Sequence, residues 1–286
     1  MNVALVGSSG YIAGYLLQRF SGEPCISKVL KIDQGGDAQV NLSLLEPEGF
    51  DYSLLDDIDY VIFTAAVSGP DKCADEYDFC WSVNVTGTNY FIREALGRNC
   101  KVLFFSSDAV FGDIPGEIYT EISETRAETP YGRMKKAVED EFKDNPRFKA
   151  IRLSYVVSAK DRFVSYCLGC MERNETADVF HPFYRNCIVV SDVVDAVMWF
   201  MKHWGEYPVF ALNVAGRELV SRIRIADELN RYFSNRLAYT ISTPDSSFYR
   251  NRPQITQIKS LYIHKYGIVD EGSFTEKIQK ELSFLA

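Results

Sequence analysis

Val3-Ala4-Leu5-Val6-Gly7-Ser8-Ser9-Gly10-Tyr11-Ile12-Ala13-Gly14 is the stretch whose reading decides the fold of this chain. Four apolar residues closed by a glycine read as a short strand buried on both faces, as in a parallel sheet. Residues 11–20 follow with Ile12, Tyr15, Leu16 and Phe20 at helical spacing, so a strand passes into a helix through a glycine turn. Gly7 permits the tight turn, and Gly10 lets backbone N–H groups approach a pyrophosphate at the helix N-terminus. Ala13 or Gly14 allows the helix to lie close on the strand. An acid is expected about 20 residues further on, at the end of the next strand. Asp33 stands there, after Val29-Leu30-Lys31-Ile32. A carboxylate in that place accepts from adenosine ribose hydroxyls and repels a 2′-phosphate, so it favours NAD(H) over NADP(H). Gly7, Ser9, Gly10, Tyr11, Ile12 and Asp33 are the cofactor-binding candidates of this stretch.

Outward from that turn the alternation continues. Residues 60–64, 101–105 and 149–154 read as further buried strands, separated by helices predicted over 73–98 and 130–142. Pro130 suits a first helical position, where its missing N–H costs nothing. Strands alternating with helices predict an α/β fold, a doubly wound, mainly parallel sheet of Rossmann type with right-handed crossovers. The pattern weakens after Tyr155, and residues 188–202 and 209–214 read as elements returning to the first sheet. The expected division is a dinucleotide-binding domain of residues 1–155 plus about 187–215, and a smaller, interleaved substrate lobe of about 156–186 plus 216–286.

Composition excludes several classes of function. The 286 residues are 47% hydrophobic and 24% charged, enough to bury a core and too apolar for disorder. Thirty-one Lys and Arg against 39 Asp and Glu leave a net charge of −8, which disfavours broad contact with a nucleic-acid backbone. No apolar run approaches the roughly 18 residues a membrane span needs. The N-terminus lacks a basic segment and a cleavage site, so a cytoplasmic protein with no membrane partner is expected. Seven cysteines, an odd number, suggest reduced thiols, and Cys167-Leu168-Gly169-Cys170 reads as helix packing. His181, His203 and His264 form no ligand spacing, so no metal is expected.

Tyr131-Gly132-Arg133-Met134-Lys135 places a phenol and an ammonium at i and i+4 on one helix face. A free phenol titrates near pH ~10, and a neighbouring ammonium favours the phenolate, as acid–base work near neutrality requires. Twenty-four residues earlier, Phe105-Ser106-Ser107-Asp108 ends a strand, and Ser107 could hold a substrate oxygen beside Tyr131.

On these motifs the chain resembles the extended short-chain dehydrogenase/reductases, the superfamily of nucleotide-sugar epimerases, dehydratases and reductases. Thr64-Ala65-Ala66, Asn84-Val85-Thr86-Gly87-Thr88, Ser106-Ser107-Asp108-Ala109-Val110-Phe111-Gly112 and Val190-Ser191-Asp192-Val193-Val194 extend the likeness over nearly the whole length. The resemblance implies a catalytic Ser107, Tyr131 and Lys135, with Ala65, Ala66, Ser106, Tyr131 and Lys135 also on the cofactor. Arg185 and Arg252 would hold a substrate pyrophosphate, since guanidinium forks match phosphate oxygens. Asp108 and Tyr155 are the remaining substrate-binding candidates. Dimerisation through the helices of residues 73–98 and 130–142 is also carried over from the superfamily.

Within the superfamily, Ala65-Ala66-Val67-Ser68-Gly69-Pro70-Asp71-Lys72-Cys73, Arg152-Leu153-Ser154-Tyr155-Val156 and Arg252-Pro253 are similar to the dTDP-4-dehydrorhamnose reductase branch. Two features depart from it clearly, and Asp33 is a third, softer departure, because many reductases of that branch accept NADPH. Ala109 replaces that branch's tyrosine, and Arg185-Asn186-Cys187-Ile188-Val189-Val190-Ser191-Asp192 resembles epimerases more. A 4,6-dehydratase would need a glutamate where Ala109 stands, and a methyl group removes no proton. The resemblance therefore implies a reductase of a nucleoside-diphosphate 4-keto-(deoxy)sugar, with a nucleotide-sugar 4-epimerase as the alternative. A non-catalytic NAD-sensing regulator is a third reading, opposed by the intact Ser107, Tyr131 and Lys135.

Overall fold

The computed structural model describes residues 1–36 and 38–285. It divides into two compact units. The first comprises Met1–Gly112, Glu124–Arg152 and Val197–Leu212. Its centre is a seven-stranded sheet in the order Ala211–Val214, Phe148–Leu153, Lys101–Ser107, Tyr60–Phe63, Asn2–Val6, Lys28–Asp33, Val40–Asn41. The strands run parallel, with Val3 beside Val29 on one side and Tyr60 on the other. Such strands are covered by helices on both faces, which explains why the run Tyr60–Phe63 is apolar throughout and buried at every residue. Phe63, Phe91 and Phe104 form the aromatic centre, with ring centroids 5.7 Å and 6.1 Å from Phe63. Each fully buried phenylalanine contributes on the order of 1.5–3 kcal/mol.

The helix read over residues 73–98 is not continuous. It is built as Pro70–Asp75, Tyr77–Trp81, a π-helical turn Ser82–Gly87 and Thr88–Gly97. Glu76, at φ −117° and ψ 49°, breaks the first junction. The wide turn carries Asn84 inward, where its side chain accepts from Val67 N at 2.8 Å and donates to Val67 O at 2.9 Å. A single π turn adds one residue to the hydrogen-bonded ladder, a shift too small for a short apolar pattern to reveal.

The second unit comprises Asp113–Ser123, Leu153–Ala196 and the chain from Asn213 onward. Residues 113–123 join it because Ile118–Tyr119 pairs with Ile255–Ile258 in a four-stranded sheet that also holds Tyr184–Arg185 and Val220–Ser221. Residues 188–196 also lie in this unit, which the sequence reading assigned to the first. Its core includes Phe163, Val164, Cys167, Cys170 and Ile225. Both cysteines face inward from the helix Arg162–Arg173, and burial pushes the Cys167 thiol up to about 12. Among the described residues, no helix is long and apolar enough to cross a membrane.

Candidate active site

The glycine turn of the first unit is tightly constrained. Gly7 has φ +85°, and a Cβ there would lie 2.6 Å from the Ala65 backbone nitrogen. Only glycine fits both the left-handed backbone and that close approach. Asp33, at the end of its strand, accepts from Ser9 N at 2.8 Å and from Gln34 N at 2.7 Å. Its carboxylate thus fixes the loop from below. The helix Tyr11–Ser21 starts at Gly10 without a side-chain cap and with no acid in its first turn. Helix N-termini need acceptors for their first N–H groups, and here no side chain of the cap supplies one, so an anion suits the position. Ala65 N is tied to Val6 O at 3.1 Å, which places the Ala65-Ala66 backbone against the turn. These observations fit a dinucleotide pyrophosphate at Gly7, Ser9, Gly10, Tyr11 and Ile12.

Tyr131 and Lys135 lie on the helix Pro130–Phe142, capped by Thr129, whose Oγ1 accepts from Gly132 N at 3.1 Å. Lys135 is buried and donates from Nζ to Phe105 O at 2.7 Å, on the strand that ends at Ser107. Its Nζ also sits 4.5 Å from the Phe104 ring centroid and 5.8 Å from that of Tyr131. Burial pushes the Lys135 ammonium down to about 7, while Glu139 pulls the other way. Burial raises the Tyr131 phenol, with Cys73 and Asp108 adding to it. This runs against the expectation that the ammonium lowers the phenol. Desolvation is the largest cause, and the neighbouring Cys73 and Asp108 act in the same direction.

Ser107 Oγ donates to Asp108 Oδ1 at 3.0 Å and accepts from Ala109 N at 3.2 Å, capping the short turn Asp108–Val110. Ser106 is buried, and its Oγ has no hydrogen-bond partner. The spacing of strand end and helix is set by Gly132, since a Cβ there would collide with the Ala109 carbonyl oxygen. Gly132→Ala is expected to destabilise the fold by about 1–3 kcal/mol, the usual cost of overpacking. Urea denaturation checks this, and an unchanged midpoint would remove the spacing role.

Two partners of these residues escaped the sequence reading. Glu139, one turn beyond Lys135, holds Arg152 through Nη2 at 2.6 Å and Nε at 3.1 Å, with both side chains buried. Tyr131, Lys135 and Glu139 repeat at i, i+4 and i+8, a spacing that could have signalled an inward polar stripe. In the second unit, Tyr155 OH donates to Asp161 Oδ1 at 2.9 Å, and burial raises both groups.

The substrate candidates of the second unit divide in role. Arg185 is buried, donating from Nη1 to Tyr184 O at 2.7 Å and from Nη2 to Pro253 O at 2.8 Å. Its guanidinium lies 4.3 Å from the Phe183 ring centroid. Arg252 donates from Nη1 to Phe248 O at 3.1 Å. Tyr155 and Arg185 line one small cavity together with Phe183, Cys187 and Arg222. Asp108, the remaining candidate, lies in the first unit.

Fold and site together define an extended short-chain dehydrogenase/reductase. The NAD dependent epimerase/dehydratase family model matches residues 3–215, and the chain belongs to that family. NAD is the cofactor for which the family is named, and the turn and acid described above fit it. An uncharacterized protein of Sinorhizobium fredii is 31% identical over 150 residues, a match covering 49% of this chain and 36% of that relative. A dTDP-4-dehydrorhamnose reductase from Yersinia enterocolitica superposes with a TM-score of 0.83 at 18% identity, over 100% of this chain and 99% of that one. A mutant UDP-glucuronic acid 4-epimerase from Bacillus cereus, solved in complex with UDP-4-deoxy-4-fluoro-glucuronic acid and NAD, gives 0.82 at 16% identity, over 100% of this chain and 99% of that one. At such identities the likeness is one of fold.

Proposed function

We propose that this chain reduces a nucleoside-diphosphate 4-keto-(deoxy)sugar with NADH. The observation that carries the reading is the buried Lys135, anchored to Phe105 O beside Tyr131 on the strand ending in Ser106-Ser107. Bound NADH supplies the hydride. The chain's own residues handle the proton and the orientation. Tyr131 keeps its proton, because burial raises the phenol, and so is held ready as an acid for a forming alkoxide. Lys135, whose ammonium burial pushes down to about 7, stands 5.8 Å from the Tyr131 ring centroid and supports return of a proton to that phenol. Ser107 orients the carbonyl once its hydroxyl turns from Asp108. Arg185 and Arg252 of the second unit bind the diphosphate, and Asp108 the sugar hydroxyls. Asp33 sets the preference for NAD(H).

The test begins with the purified protein, denatured and assayed for released nucleotide by absorbance and mass. The expected result is substoichiometric nucleotide, followed by NADH consumption when a 4-keto nucleotide sugar is added. Stoichiometric NAD, with interconversion of 4-epimers and no need for added NADH, would replace this reading by the epimerase. Tight dinucleotide binding with no turnover of any nucleotide sugar would point to the regulator.

A further inference from the structure

Arg222 opens the helix Arg222–Tyr232, directly after its Ser221 cap. Four rings surround the guanidinium, with centroids 4.8 Å away for Phe183, 5.1 Å for Phe163, 5.6 Å for Phe248 and 5.8 Å for Phe180. Ring faces attract a cation, but they leave its N–H groups without a full acceptor. Nε is buried with no hydrogen-bond partner, and among the described residues no carboxylate forms an ion pair with Arg222. Asp161 acts on it from nearby, yet that carboxylate is committed to Tyr155 OH and to the backbone nitrogens of Ser158, Phe163 and Val164. Burial and the like charge of Arg252 both disfavour the Arg222 cation. Arg185 lines the same cavity. The chain thus draws together three guanidiniums in one unit and gives Arg222 no ion pair and no acceptor for its buried Nε, although a buried donor without a partner is costly.

We propose that Arg222 is a third ligand for the diphosphate of the substrate, held rigid by its aromatic cage. The proposal rests on the nucleotide-sugar reading above. A diphosphate presents oxygen acceptors for the N–H groups of Arg222, and its negative charge offsets the repulsion between Arg222 and Arg252. A purely structural cation would hold the four phenylalanines together and have no influence on the phosphate.

The experiment is calorimetric titration of the full chain with UDP, dTDP, GDP and CDP, and separately with NADH. For whichever diphosphate binds wild type, Arg222→Met is expected to weaken affinity about 10- to 100-fold, as loss of a charge-assisted contact does. NADH affinity should stay within twofold. Arg222→Lys, which keeps the charge and most of the stem, should lose about 5- to 20-fold through loss of the fork, and it decides the matter if the methionine variant does not fold. Unchanged diphosphate affinity in the folded variant overturns the proposal. So does a loss seen with UDP-glucuronate but not with UDP, which would place Arg222 on the sugar. A wild-type chain that binds none of the four diphosphates overturns the nucleotide-sugar reading itself, and with it this assignment.

Discussion

Tyr131→Phe lowers turnover by about two to four orders of magnitude, the range in which a positioned acid–base group contributes, while NADH affinity stays within a few-fold. The ring of Tyr131 is retained in this variant, so packing against the π-helical region is preserved and only the proton is lost. Tyr131 packs there with Cys73, Cys80, Val85 and Met134, a cluster that phenylalanine fills equally well. The check is single-turnover reduction alongside fluorescence titration of NADH. A variant with wild-type turnover would remove Tyr131 from the chemistry. A variant that lost both turnover and NADH binding would show that the hydroxyl positions the cofactor.

The largest effect on stability is expected at Glu139. Glu139→Ala leaves the Arg152 guanidinium buried without its bidentate acceptor, between the rings of Phe111 and Phe210 at 4.9 Å and 5.4 Å. Breaking a buried ion pair from one side costs about 3–5 kcal/mol. The same change removes the carboxylate that holds up the Lys135 ammonium, so Lys135 should titrate below its present value of about 7. Urea denaturation reads the first effect, and the pH dependence of single-turnover rates reads the second. The double variant Glu139→Met with Arg152→Met should recover much of the lost stability, since an apolar pair of similar volume carries no desolvation penalty. If the single variant were as stable as wild type, the pair would be a bystander.

The parts legible in the sequence were those with a local signature. Val3 to Gly14 followed by Asp33 is a strand, a turn and the start of a helix within one short stretch, each fixed by its own residue types. Tyr131 and Lys135 were legible because four residues place them on one face of a helix that begins at a proline. What was not legible depends on contacts that reach beyond a single helix or strand. Asp161 engages Tyr155 only through the turn at Ser158, and Glu139 finds Arg152 across the join of helix and sheet. The break at Glu76 had no glycine or proline to announce it. Ser107 is the instructive middle case. Its place at a strand end and a turn-capping role were both readable, but its partner Asp108 was not, because a hydroxyl rotates to whichever acceptor the turn presents.

The chain passes from one unit to the other at residues 112, 123, 152, 196 and 212. Each unit is therefore assembled from three separate stretches, and neither exists as a contiguous gene fragment. The first sheet receives its last strand, Ala211–Val214, only after some two hundred residues have been synthesised, so a nascent chain carries an unpaired sheet edge until then. Recombination between relatives cannot exchange the second unit in one crossover. Three replacements in register would be required, which leaves point substitution as the accessible route by which a lineage with this wiring changes that unit.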